Sequence, residues 1–142
     1  MRNSSLKSLR HRGSSAVVEI RSTIRAQLPR IEFGKIAKKI LGAGYTLSLV
    51  ICGDTLTKRL NREFRKKDYP ANVLSFSLSK NEGEIFLNVK KARREAKALT
   101  IPWERRVTHL FVHGCFHLKG YKHGARMDVL ERTFLKRFGF KY

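Results

Sequence analysis

Acidic residues are scarce in this chain: 11 Asp and Glu stand against 31 Lys and Arg in 142 residues, so the formal charge is +20 before the five His are counted. Cysteine is scarcer still. Cys52 and Cys115 stand alone with no framework spacing, which excludes a disulfide scaffold and fits two free, buried thiols in a reducing compartment. Long apolar runs are missing too: the longest, Tyr45 to Cys52, is interrupted by Thr46 and Ser48 and falls far short of the roughly 20 residues that cross a bilayer. No transmembrane segment is expected. The stretch Met1 to Ser15 has no apolar run of the secretory kind, and it carries Ser, Arg and Lys with no acid before Glu19. That composition reads as a flexible basic arm over residues 1–15, in preference to the mitochondrial presequence it also resembles, and makes the cytoplasm the expected location with the mitochondrial matrix as the alternative.

What remains, residues 16–142, is long enough for one domain, and 42% hydrophobic residues can build a core without staples. A charge this far from zero concentrates polyanions around the protein, which points to nucleic acid rather than to a membrane surface. Val17, Val18 and Ile20 suggest a first strand, and the spacing of Ile31, Ile36, Ile40 and Leu41 a short helix stopped by Gly42 and Gly44. Tyr45 to Cys52 alternates as a second strand. Asp54 is the expected N-cap of a helix whose apolar stripe is Leu56, Leu60 and Phe64, with basic residues on its other faces. Pro70 breaks it. Val73 to Leu78 and Glu84 to Leu87 form a hairpin across Lys80–Gly83, a charged helix runs from Asn88 to Leu99, and a second helix starts at Pro102 and ends at Gly120. Gly124 to Phe138 is a last amphipathic helix with Met127, Leu130, Phe134 and Phe138 as its stripe. The pattern predicts an α+β fold, a small mixed sheet of about four strands packed with helices.

Three of the five His fall within the eleven residues His113 to His123. His113 and His117, four apart on a helix, lie one turn apart on the same face with Cβ atoms about 5–6 Å from each other, close enough to share a metal ion. Gly120 can take the left-handed conformation that turns the chain back, so that His123 completes a three-nitrogen site at the end of the penultimate helix. Cys115 is about 200° round the helix from His113 and points away. His109 is one turn further up, where the face drifts, and reads as a packed or surface His. Three protein ligands leave an open position, the arrangement of catalytic rather than structural zinc. The same His spacing occurs in zinc proteases, where the residue after the first His is a Glu that accepts a proton; here that residue is Gly114, so peptide hydrolysis lacks its base. In a chain of this charge the suitable electrophile is a phosphodiester, since the ion can polarise a phosphoryl oxygen or lower the pKa of water to about 7.

Two blocks carry a resemblance. Leu60 to Phe76 is similar to LNxxYRxxDxPTNVLSF, and His113 to His123 to HGxLHLxGYDH, both of the YbeY family of endoribonucleases, also called rRNA maturation factors; the likeness extends from about Thr46 to the last helix. The resemblance implies a metal-dependent, single-strand-specific RNase acting in maturation of the 3′ end of small-subunit rRNA and in ribosome quality control. It implies one zinc ion held by His113, His117 and His123, with Arg65 as a catalytic arginine at the mouth of the cleft. The partners implied are rRNA and the small ribosomal subunit, with ribosomal proteins or an assembly GTPase as further candidates and no membrane. Arg59, Arg62, Arg65, Lys66, Lys67 and Lys122 are the candidate RNA contacts, and Asp68 and Glu84 the candidate proton-transfer acids. Lys122 stands where the family has Asp, which puts a positive charge beside the metal position. The reading from another class is a non-catalytic, basic RNA-binding ribosome-assembly factor with a structural or vestigial metal.

The basic stretches Lys58–Lys67, Lys90–Lys97 and Lys136–Lys141 should bind phosphates through counterion release. With about four phosphates neutralised, the affinity for single-stranded RNA is expected to fall roughly 50-fold between about 50 and 200 mM salt. Fluorescence anisotropy over a salt series checks this, and a flat series would contradict it.

Overall fold

The computed structural model describes residues 8–12 and 17–140, with side chains from residue 18 onward. In chain order the elements are β1 (Ser8–Arg12), β2 (Val17–Ser22), α1 (Phe33–Leu41), β3 (Thr46–Cys52), α2 (Asp54–Arg65), β4 (Val73–Ser79), β5 (Glu82–Asn88), α3 (Val89–Leu99), α4 (Trp103–Leu118) and α5 (Ala125–Arg137). The fold is α+β. Its mixed sheet has the order β1-β2-β3-β5-β4, with β2, β3 and β5 parallel and an antiparallel strand on either edge. Four of these strands are those the alternation marks. The fifth, β1, lies within the segment read as an arm and pairs with β2 in the register Ser8 to Arg21; the rest of that segment lies outside the described residues.

The parallel strands lie in the middle because crossovers cover them: Leu47, Leu49 and Ile51 of β3 and Ile85 and Leu87 of β5 are all 1% exposed or less. They pack with Ile36 and Ile40 of α1 and Val107, Phe111 and Cys115 of α4 in one core. Both cysteines are free and buried. Among the described residues no helix is long and apolar enough to cross a membrane.

The expected docking of α2 needs two corrections. The helix starts one residue earlier than a cap at Asp54 would require, with Gly53 in the cap position, and Asp54 binds Asn88 and Arg94 instead of a backbone amide. Nor is Leu56–Leu60–Phe64 its buried stripe, since Thr57 and Asn61 are fully buried and Phe64 is 59% exposed. Hydrogen bonds hold the buried face of this helix. Asn88 at the end of β5 donates from Nδ2 to Asp54 (2.8 Å), Thr57 (3.1 Å) and the carbonyl of Ala71 (3.2 Å), and Asn61 donates to the carbonyl of Tyr69 at 2.8 Å. The Oδ1 of Asn88 meanwhile caps α3 through the Lys91 amide.

Successive side chains of a strand face opposite sides, and β4 uses both. Ser75 Oγ donates to the carbonyl of Gly114 on α4 at 3.1 Å, whereas the ring of Phe76 packs edge-to-face on Phe64 of α2. The two helices therefore flank the free edge of β4. On the α4 side the approach is close: a Cβ built on Gly114 would lie 2.9 Å from Ser75 Oγ and 3.0 Å from Ile85 Cδ1.

Gly114→Ala sets two effects against each other. Alanine in a helix interior gains about 0.5–1 kcal/mol over glycine, but overpacking a tight core costs about 1–3 kcal/mol and the Ser75 hydrogen bond must lengthen. The net expectation is a loss of about 1–2 kcal/mol, read as a lower urea midpoint at unchanged slope; an unchanged or higher midpoint would show that α4 is not held at this distance.

Candidate metal centre

The apolar stripe Val107, Phe111, Cys115 fastens α4 to the sheet, which leaves the faces of residues 109, 113 and 117 turned away from it. Cys115 is fully buried and burial pushes its thiol up, so it stays protonated and takes no part as a ligand, as its angular position predicts. After Leu118 the chain closes with hydrogen bonds from the Lys119 amide to Cys115, Gly120 to His117 and Tyr121 to Phe116. Gly120 has φ +109°, which a side chain would oppose. This turn brings His123 back over the helix.

The ring centroids of His113, His117 and His123 are 4.6, 4.6 and 4.9 Å apart in pairs, and one ligating atom from each lies within 4.8 Å of the others. The outer nitrogens of the two helical rings are already engaged. His117 Nδ1 donates to the carbonyl of Tyr121 at 3.0 Å, and His113 Nδ1 donates to Glu131 Oε2 at 2.7 Å. With both Nδ1 atoms protonated, the two Nε2 atoms present lone pairs to each other at 3.1 Å, an arrangement that calls for a cation between them. A proton is a poor candidate, because burial and the neighbouring His113 charge lower the His117 pKa. Two nitrogens bound at about 2.0–2.1 Å to one tetrahedral ion stand about 3.3 Å apart, so the residues fit a divalent metal.

Glu131 was not legible as part of this site. It projects from α5, 3% exposed, and its second oxygen bonds His109 Nε2 at 2.8 Å. Burial pushes its carboxyl up, but the hydrogen bonds from His109 and His113 outweigh burial and hold it at about 2. His109 is thus neither idle packing nor surface: it completes the partners of the carboxylate that orients His113. The signal available in the sequence was a charge in register with buried Met127 and Leu135 at i, i+4 and i+8.

All these groups line a cleft of about 760 Å³ that also takes in Asn61, Phe64, Arg65, Tyr69, residues 70–77 of the loop and β4, and Asp128. Arg65 is the one member of the expected cationic set among its lining residues. Arg59, Lys66 and Lys122 are exposed, Lys67 lies 5.9 Å from the Tyr69 ring, and Arg62 is tied to Asp68 (Nε to Oδ1, 3.0 Å); none of the five lines the cleft. The two candidate proton-transfer acids lie outside the cleft. Asp68 is spent on Arg62 and Glu84 on Arg21, and neither reaches the cleft, whose carboxylates are Asp128 and Glu131.

Fold and site together define an α+β domain in which three imidazoles, placed so that they could hold one metal ion, line a cleft. The chain belongs to the YbeY family: the family model described as Endoribonuclease YbeY matches residues 16–139, including β2, which the sequence motifs left uncovered. Endoribonuclease YbeY of Geobacter metallireducens is 36% identical, with 73% of this chain and 81% of that protein covered, and that of Solibacter usitatus is 34% identical with 88% of each covered. A solution structure of a Thermotoga maritima protein superimposes with a TM-score of 0.53 at 25% identity, covering 72% of this chain and 73% of that one.

Glu131→Gln keeps the shape of the side chain but removes the charge that fixes His113. Metal affinity, measured by competition with a chromophoric chelator, is expected to fall roughly 10- to 100-fold. Unchanged affinity in the folded variant would show that the carboxylate does not act on the metal centre.

Proposed function

We propose that this chain is a zinc-dependent endoribonuclease that cleaves single-stranded RNA and acts in maturation of the 3′ end of small-subunit rRNA and in ribosome quality control. The observation that carries the reading is the convergence of His113, His117 and His123 in the same cleft as Arg65, in a chain of charge +20 whose curated relatives are named endoribonucleases. His113, His117 and His123 would hold the ion. Zinc there supplies Lewis acidity towards a phosphoryl oxygen and makes water acidic enough to react at neutral pH. The chain's own groups do the rest. Glu131 and the Tyr121 carbonyl keep the two Nδ1 protons in place, so that His113 and His117 present Nε2 without reorganising. Arg65, for which no ion pair is found among the described residues, offers a planar fork to a phosphate and stabilises charge that develops on it. Arg59, Arg62, Lys66, Lys67 and Lys122 extend the positive field around the cleft and draw in the strand. Ribosomal RNA in the cytoplasm, or in the mitochondrial matrix if residues 1–15 are an address, is the natural substrate on this reading, with the small subunit and its proteins or an assembly GTPase as partners.

Purified protein is expected to cut a single-stranded RNA, to stop on chelation and to resume with zinc. Arg65→Ala should lower kcat roughly 10²- to 10³-fold, and folded His117→Ala should abolish cleavage. Cleavage that persists in both variants would assign the activity to a contaminating nuclease, and RNA bound but left intact by the wild type would favour the assembly-factor reading.

A further inference from the structure

Helix α2 presents Asn61, Phe64 and Arg65 to the cleft, a spacing of i, i+3 and i+4 that puts all three on one face. Asn61 is buried and holds the loop at Tyr69. Phe64 is different: it is 59% exposed on a helix whose docking is polar. It is nevertheless held from one side, since its ring meets Phe76 at 5.2 Å and 62°, and Phe76 in turn meets Phe86 at 5.8 Å and 79°. The outcome is a braced aromatic ring, open to the cleft and next in sequence to the arginine that faces the same space.

We propose that Phe64 is a stacking subsite for one nucleobase of the bound RNA, on the nucleotide whose phosphate lies at Arg65 or on its neighbour. The inference rests on the endoribonuclease reading and adds to it the contact that recognises the strand. A nucleotide carries a flat apolar base and an anionic phosphate on one sugar, which matches a ring and a guanidinium on adjacent residues. An apolar peptide segment would satisfy the ring and leave Arg65 and Lys66 without an anion. Tyr69, also in the cleft and 51% exposed, is a weaker platform, because the ammonium groups of Lys67 and Lys91 already lie 5.9 and 5.6 Å from its ring. Stacking on Phe64 also gives a reason for single-strand preference: a base inside a duplex has both faces covered, whereas an unpaired base can swing onto an aromatic ring.

The test is a cycle between the side chain and the base. The kcat/KM of zinc-loaded wild type, Phe64→Ala, Phe64→Leu and Phe64→Trp is measured on a short single-stranded RNA and on copies carrying one abasic nucleotide at each position in turn. On the intact strand Phe64→Ala and Phe64→Leu are expected to lose roughly 5- to 100-fold, while Phe64→Trp retains activity. At one position the abasic strand should cost the wild type a similar factor and cost Phe64→Ala nothing more. Losses that multiply at every position, or a Phe64→Ala enzyme as active as wild type, overturn the subsite while leaving the endoribonuclease reading intact. A wild type that neither binds nor cuts RNA overturns both. Because Phe64→Ala gives up the contact with Phe76, it is expected to melt slightly below the wild type, so rates are compared well below the melting range, and Phe64→Leu preserves the apolar bulk.

Discussion

The geometry of the three-imidazole cluster depends on one buried carboxylate. Glu131 is 3% exposed, and a carboxylate at that depth without partners would cost several kcal/mol in lost hydration. Two imidazoles from α4 supply the partners, at 2.7 and 2.8 Å, so α5 is bound to α4 at a defined rotation and height. That docking fixes which nitrogen of His113 carries its proton and therefore which one faces the cleft. The same logic repeats one turn on, where the backbone carbonyl of Tyr121 does for His117 what the carboxylate does for His113. The turn that supplies this carbonyl also returns His123 to the cluster, so a single stretch of chain both orients one ring and delivers another.

The scarcity of acids gives this arrangement its setting. The few carboxylates present are mostly committed to internal ties. Asp54 holds Arg94 and Asn88, Glu95 holds Arg106 and Asn72, and Glu84 holds Arg21. Pairs such as Arg62–Asp68, exposed on both sides, add little stability, but they order the loop that forms one wall of the cleft. Most of the 31 Lys and Arg are left with no acid to neutralise them, which keeps the field around the cleft positive and favours a polyanion over a neutral chain. Compactness and ligand preference thus follow from the same imbalance.

Local signals made much of this legible. His113 and His117 could be paired because i, i+4 on a helix is a purely geometric relation, and Gly120 marked the turn for a steric reason that needs no knowledge of the rest of the fold. The strands β2 to β5 and the five helices likewise follow from alternation, helical stripes, glycine and proline. What stayed hidden depends on partners distant in sequence. Thr57 and Asn61 look like solvent residues until Asn88, 31 positions from Thr57, bonds the Thr57 hydroxyl and the Tyr69 carbonyl accepts from Asn61 Nδ2, and only then can α2 bury a polar face and leave Phe64 outside. Glu131 looks like a surface acid until two histidines of another helix meet it. Strand β1 carries little of the β-branched alternation that marks a strand and joins the sheet through backbone pairing with β2.

Gly114 connects packing to chemistry. In zinc proteases with the same histidine spacing the position after the first ligand carries the glutamate that takes up a proton. Here that position faces the sheet at a distance where even a methyl group would meet Ser75 and Ile85 at about 3 Å, so a glutamate could enter only if those two side chains gave way or α4 moved away from β4 and β5. Such a movement would draw His113 and His117 away from the edge of β4, which forms one wall of the cleft. Close packing of the helix therefore disfavours a protease-type base at this position. A peptide bond, neutral and resistant to attack, needs that base. A phosphodiester arrives with its own anionic oxygens, and this cleft meets them with Arg65, Lys91 and Arg106 beside the three imidazoles.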